Sequence, residues 1–159
     1  MRTTSLSNDT RAAATELGYI FTFLLGVLLM TTFSVWAWDI ETNTRERWNE
    51  EAILANMDDI AAAVERADEA SRLGGNISYA EEILWRPTEA DESLFWLELH
   101  DTSLVLIDEG GPLDTEVALS GTGSGAHAGR IPLAGVDRVW VVHEDGMTHL
   151  SLDRPQAVQ

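Results

Sequence analysis

The residues with chemical potential in this 159-residue chain are four histidines, 27 acids, one glycine-rich loop and two glycosylation sequons. His100, His127, His143 and His149 invite a metal-binding reading, which their spacing argues against. A two-residue hairpin turn at Asp145-Gly146 sets His143 opposite Thr148 and Val142 opposite His149, so the two histidines point to opposite faces of a sheet. His127 falls in the glycine-rich region and His100 in a turn, so all four read as isolated surface histidines. Gly121-Thr122-Gly123-Ser124-Gly125 has the look of a phosphate loop. Phosphate cradling needs a helix N-terminus directly after the glycines and usually a lysine. The next residues, Ala126-His127-Ala128-Gly129-Arg130-Ile131-Pro132-Leu133, are more strand than helix, and the glycine-rich segment reads as a flexible, exposed loop. With no cysteine there is neither a disulfide framework nor a thiolate zinc site. No Ser-His-Asp or paired-carboxylate constellation separates itself from the many solvating acids. The expectation is a non-enzyme without cofactor or metal. Asn76-Ile77-Ser78 is an N-glycosylation acceptor, and Asn8-Asp9-Thr10 is a second match.

These residues are hung on a stretch that has no chemistry at all. Residues 17–38, LGYIFTFLLGVLLMTTFSVWAW, contain no charge, and eleven of them are Leu, Ile, Phe or Val. At about 1.5 Å per residue they span roughly 33 Å as a helix, enough to cross a bilayer's hydrocarbon core. Those eleven alone favour insertion by something on the order of 3 to 7 kcal/mol. Trp36 and Trp38 supply an aromatic belt, and Asp39 is the first charge beyond it. A secretory signal is shorter and ends in a small-residue cleavage site, whereas this run ends in Trp-Ala-Trp-Asp. The segment is expected to stay with the mature protein.

Charge then sets orientation and environment. The formal net charge is −17, and all ten basic residues are Arg. An acidic, lysine-free surface fits a high-salt milieu, where screening makes a large net charge tolerable. It disfavours nucleic acid as a partner. Residues 1 to 12 carry Arg2 and Arg11 against Asp9, and all acids except Asp9 and Glu16 lie after residue 38. The positive-inside rule keeps the N-terminus cytoplasmic and sends the C-terminal domain outside, in a single pass. The Asn8 sequon is then inert, and the Asn76 one lies on the external side.

No Gly or Pro occurs between Gly26 and Gly74, so the helix is expected to continue past the membrane to about Leu73, roughly 85 Å in all. Ile53, Met57, Ile60, Val64 and Ala67 recur at helical spacing and form a stripe to be covered, with Trp48 read on the same side. Glu50, Glu51, Asp58, Asp59, Glu65 and Asp68 mostly fill the opposite side. Gly74-Gly75 supplies a stop, with Arg72 in the last turn. The cover is an antiparallel sheet, expected from strands near 77–85, 94–99, 104–107, 116–119, 139–143 and 147–152. Val139, Val141, Leu150 and Leu152 share its core face. The fold class is therefore α+β: a long N-terminal helix, transmembrane then amphipathic, packed by its C-terminal half on a β-sheet head. The segments are 1–12, 13–38, 39–75 and 76–159.

The N-terminal pattern Asp9-Thr10-Arg11-Ala12-Ala13-Ala14-Thr15-Glu16-Leu17-Gly18, followed by a long apolar run, resembles the class III signal region of haloarchaeal type IV pilins and pilin-like proteins. The resemblance covers about 25 residues. It implies cleavage by prepilin peptidase, with Arg11 and Ala12 ending the leader, Ala13 opening the mature chain and Gly18 at the family's glycine. Where many of these pilins have Ser-Pro, this chain has Ala14-Thr15. Bacterial relatives carry Glu at the fifth mature position; here Glu16 is fourth if the cut follows Ala12 and fifth if it follows Arg11. The implied partners are membrane lipid, the peptidase, other pilin subunits, and the assembly ATPase with its platform protein. The implied roles of Glu16 and Gly18 lie in filament assembly. The alternative is an uncleaved single-span membrane protein with an external β-rich binding domain.

Overall fold

The computed structural model describes residues 7–73, 78–120 and 126–155, with side chains from residue 15 onward. One α-helix, α1, runs from Ser7 to Arg72. It begins ten residues before the expected Leu17, taking in the polar lead, because nothing between Ser7 and Leu17 breaks a helix. The chain divides into two compact units, Met1–Thr44 and Arg45–Gln159.

The first unit is the N-terminal part of α1, which contains the one helical stretch among the described residues that is long and apolar enough to cross a membrane. Its side chains from Leu17 through Trp38 are exposed.

Among the described residues, the second unit contains the remainder of α1 and eight strands: β1 (Tyr79–Leu84), β2 (Phe95–Leu99), β3 (Ser103–Asp108), β4 (Thr115–Ala118), β5 (Ala126–His127), β6 (Gly129–Pro132), β7 (Arg138–Glu144) and β8 (Met147–Ser151). They form two four-stranded sheets, ordered β1-β7-β8-β5 and β4-β3-β2-β6. All pairings are antiparallel except β5 with β8. The sheets meet where β5 passes into β6. There the Ala128 N–H donates to the Thr148 carbonyl at 3.2 Å. A Cβ on Gly129 would sit 3.2 Å from the Leu150 nitrogen, so only glycine allows this approach without a shift.

The expected stripe is the centre of this unit. Ile53, Met57, Ile60, Val64 and Ala67 are each 0% exposed. They share one core with Phe95, Leu97, Leu99, Leu104 and Leu106 of the second sheet and with Val139, Val141 and Leu150 of the first. The β7–β8 hairpin has the register read from sequence, His143 with Thr148 and Val142 with His149. Its turn places Asp145 at φ 50° and Gly146 at φ 77°, the left-handed pair that a two-residue hairpin demands.

Three placements, two on α1 and one before β2, differ from expectation. Trp48 is 62% exposed. It precedes Ile53 by five residues, about 500° of helix, which turns it roughly 140° away from the stripe. Asp68, assigned to the solvent side, is 2% exposed. And residues 92–94 form a short 3₁₀ turn rather than opening a strand at Leu94. The Asp91 carboxylate holds that turn by accepting the Ser93 N–H at 3.2 Å.

Polar ties fasten sheets to helix. Asn56, 1% exposed, donates to the Arg86 carbonyl at 2.8 Å and accepts the Arg86 N–H at 2.9 Å, fixing the chain just after β1. Arg66 grips Glu81 of β1 with two bonds, 2.9 and 2.7 Å. One residue earlier, Glu65 accepts both the N–H (2.8 Å) and the hydroxyl of Ser120, just past β4. The two outermost strands, β1 and β4, are thus pinned to adjacent positions on the helix.

Candidate functional site

The sequence directs attention to the N-terminal part of α1. Arg11, Ala12 and Ala13 lie in its helical backbone, and their side chains fall outside the described residues. Glu16 is exposed. A Cβ at Gly18 would meet nothing within 4 Å. Two residues apart on a helix, Glu16 and Gly18 face about 200° apart, so they do not form one site within a single chain.

The surface beyond them is apolar. Tyr19, Phe21, Phe23, Leu28, Leu29, Met30 and Phe33 are all more than 60% exposed. The threonine and serine hydroxyls in this stretch are satisfied internally. Thr22 donates to the Gly18 carbonyl (2.9 Å), Thr31 to Val27 (2.8 Å), Thr32 to Leu28 (2.9 Å) and Ser34 to Met30 (2.8 Å). Such back-bonding spares lipid, or a packed neighbour, an unsatisfied threonine or serine hydroxyl. Chemically the segment presents area for burial.

The head holds a second constellation, which the sequence reading dispersed. His127 and His143, expected as surface residues, are 6% and 5% exposed. His127 Nε2 lies 2.9 Å from each Asp68 carboxyl oxygen, and its Nδ1 lies 3.1 Å from the Asp101 carbonyl. Its backbone N–H donates to the Asp101 carboxylate at 2.9 Å. Thr148 Oγ1 sits 3.3 Å from Asp68 Oδ1 and 2.9 Å from His143 Nδ1. A polar chain Asp101–His127–Asp68–Thr148–His143 therefore crosses from the β2–β3 turn through the end of α1 to the last hairpin. The sequence signal was the register itself: Val139 and Val141 on the core face put His143 there as well. His127 and Asp68 are brought in by sheet closure, which one-dimensional periodicity does not contain.

The other two histidines behave as expected in being separate. His100 is exposed, 3.4 Å from Glu98, and His149 Nε2 is 3.9 Å from Glu144. Among the described residues no group of three or more His, Cys, Asp or Glu side chains is placed to hold a metal ion. The candidate phosphate loop at 121–125 and the Asn76 sequon lie outside the described residues.

At the helix–β1 tie, the Arg66 guanidinium holds the Glu81 carboxyl below its ordinary range, assisted by the Tyr79 hydroxyl. Tyr79 donates to Glu81 at 2.5 Å, and burial together with that carboxylate pushes the phenol upward. The Ser120 hydroxyl and N–H likewise lower Glu65. These are structural ties, each between α1 and the chain at an outermost strand.

No protein-family model, curated protein or solved structure matches this chain.

Proposed function

We propose that this chain is a structural subunit of an archaeal type IV pilus-like surface filament, a minor or accessory pilin-like protein. Prepilin peptidase cuts it near Arg11-Ala12-Ala13. Its apolar segment holds it in the membrane with the head outside, and assembly transfers that segment into a filament core. The observation that carries this reading is α1 itself. A single unbroken helix, Ser7–Arg72, is bare and apolar in its N-terminal part and contributes the central stripe of the head in its C-terminal part. A membrane anchor alone needs no such continuity. A subunit whose helix must carry the head along when it leaves the bilayer does.

In this reading Glu16, at the membrane edge, pairs with the amine freed at the N-terminus of a neighbouring subunit. A carboxylate near the bilayer boundary gains from such a partner. Polymerisation is then conditional on cleavage, because the precursor lacks that cation. Glu16→Gln is expected to leave insertion and cleavage intact and to lower incorporation into filaments, measured as sheared surface material against the membrane fraction. Equal incorporation of the variant removes Glu16 from the assembly step. A parent chain that never leaves the membrane overturns the filament reading in favour of an uncleaved single-span protein with an external binding domain.

A further inference from the structure

The assembly step proposed above makes no use of the buried cluster of the head, and that cluster's arrangement is chemically specific. The Asp101 carbonyl can only accept a hydrogen bond, so His127 Nδ1, 3.1 Å away, carries a proton. A neutral imidazole protonated there has a bare Nε2. That nitrogen lies 2.9 Å from both Asp68 oxygens, and two bare acceptors do not pair. The contact therefore contains one more proton, shared between Nε2 and the carboxyl. When it resides on Asp68, a carboxylic acid stands beside a neutral His127. On the other flank the Thr148 hydroxyl donates to Asp68 Oδ1 at 3.3 Å when Asp68 is a carboxylate; when Asp68 is the acid, the hydroxyl proton turns to His143 Nδ1, 2.9 Å from the Thr148 oxygen. That second distance is within reach for proton abstraction. Thr148 is 0% and Asp68 2% exposed, so bulk water has little access.

The geometry points to a covalent ester between the Asp68 carboxyl on α1 and the Thr148 hydroxyl on β8, formed by the folded chain itself. The Thr148 oxygen adds to the carboxyl carbon of protonated Asp68 as its own proton passes to His143 Nδ1. The carboxyl oxygen bearing the shared proton then leaves, taking the second proton back from His143, and departs as water. One C–O bond forms and one breaks. Nothing is oxidised or reduced, and both histidines end neutral. Holding acid and alcohol together in a closed site replaces a bimolecular encounter with an intramolecular one, and excluding water suppresses the reverse hydrolysis. A head with neither Cys nor Lys has no access to a disulfide or a lysine-derived amide cross-link. The ester ties positions 80 residues apart, joining the end of the helix to the last hairpin, where a pull along α1 would otherwise peel the sheets away.

The test is peptide mapping of the full-length protein in detergent. Trypsin places Asp68 in the peptide 67–72 and Thr148 in 139–159, because Arg154 precedes Pro155. The ester predicts that these two run as one species, lighter than their sum by one water, about 18 Da, and that mild alkali or hydroxylamine separates them. Thr148→Ser is expected to keep the cross-link and Thr148→Val to abolish it. Folded parent protein yielding the two free peptides at full mass overturns the proposal. A loss of one water confined to 139–159 also overturns it, since cyclisation at Asp145-Gly146 accounts for that.

Discussion

Ile60 is the position at which packing of the helix on the sheets is most open to measurement. It lies at the middle of the α1 stripe, 0% exposed, in one core with residues of both sheets. Ile60→Ala removes three carbon groups. At about 0.8 kcal/mol each, transfer alone accounts for roughly 2.4 kcal/mol. Helix and sheets are tied together by Asn56, Glu65 and Arg66, which limits collapse into the space left behind. The cavity contribution therefore brings the expected loss to about 2 to 5 kcal/mol. Leu54, 45% exposed and six residues earlier, is the control, and Leu54→Ala is expected to cost less than about 1 kcal/mol. Denaturant unfolding followed by tryptophan fluorescence reads both, since Trp85 is buried in the head at 4% exposure. A loss below about 0.5 kcal/mol for Ile60→Ala refutes burial of the stripe, because a packed side chain cannot be truncated at so small a cost.

Two further outcomes depend on charge. Because Arg66 depresses Glu81, the tie contributes stability that is present above the unfolded glutamate value and lost as pH falls through the lower folded value. Glu81→Gln should flatten that acid limb in a series of thermal melts, and an unchanged limb counts against the assignment. With a net charge of −17, raising salt from about 0.1 M to 1 M, which shortens the screening length from roughly 10 Å to 3 Å, should raise the melting temperature of the head. A melting temperature that falls with salt would mean that exposed ion pairs such as Arg86–Asp59 outweigh the net repulsion.

Much of the architecture was legible because it is written in local periodicity. The helix was visible as a run free of Gly and Pro, its buried face as the spacing of Ile53, Met57, Ile60 and Val64, and the last hairpin as Asp145-Gly146 between alternating apolar residues. What the sequence hid depends on which elements meet. Asn56 and Asp68 lie about 60° to either side of Ile53 on the helix, at the stripe's margins, where polar residues ordinarily face water. They are buried because β1 closes over one margin and the last hairpin over the other. The same closure turns His127 from a loop histidine into the partner of a helix carboxylate 59 positions away. The strand containing His127 has two residues and pairs in parallel, so it leaves no alternation to read. Trp48 shows the opposite error, an apolar residue assigned to the stripe by type although its helical angle carries it outward.

The filament reading stands or falls on processing at the N-terminus. Intact mass and N-terminal sequence, taken on protein from native membranes and from sheared surface material, decide it. A processed subunit begins at Ala13, or at Ala12 if the cut falls one residue earlier, retains residues 17–38 and is present in the sheared fraction. A chain that still begins at Met1 and is confined to the membrane contradicts the reading.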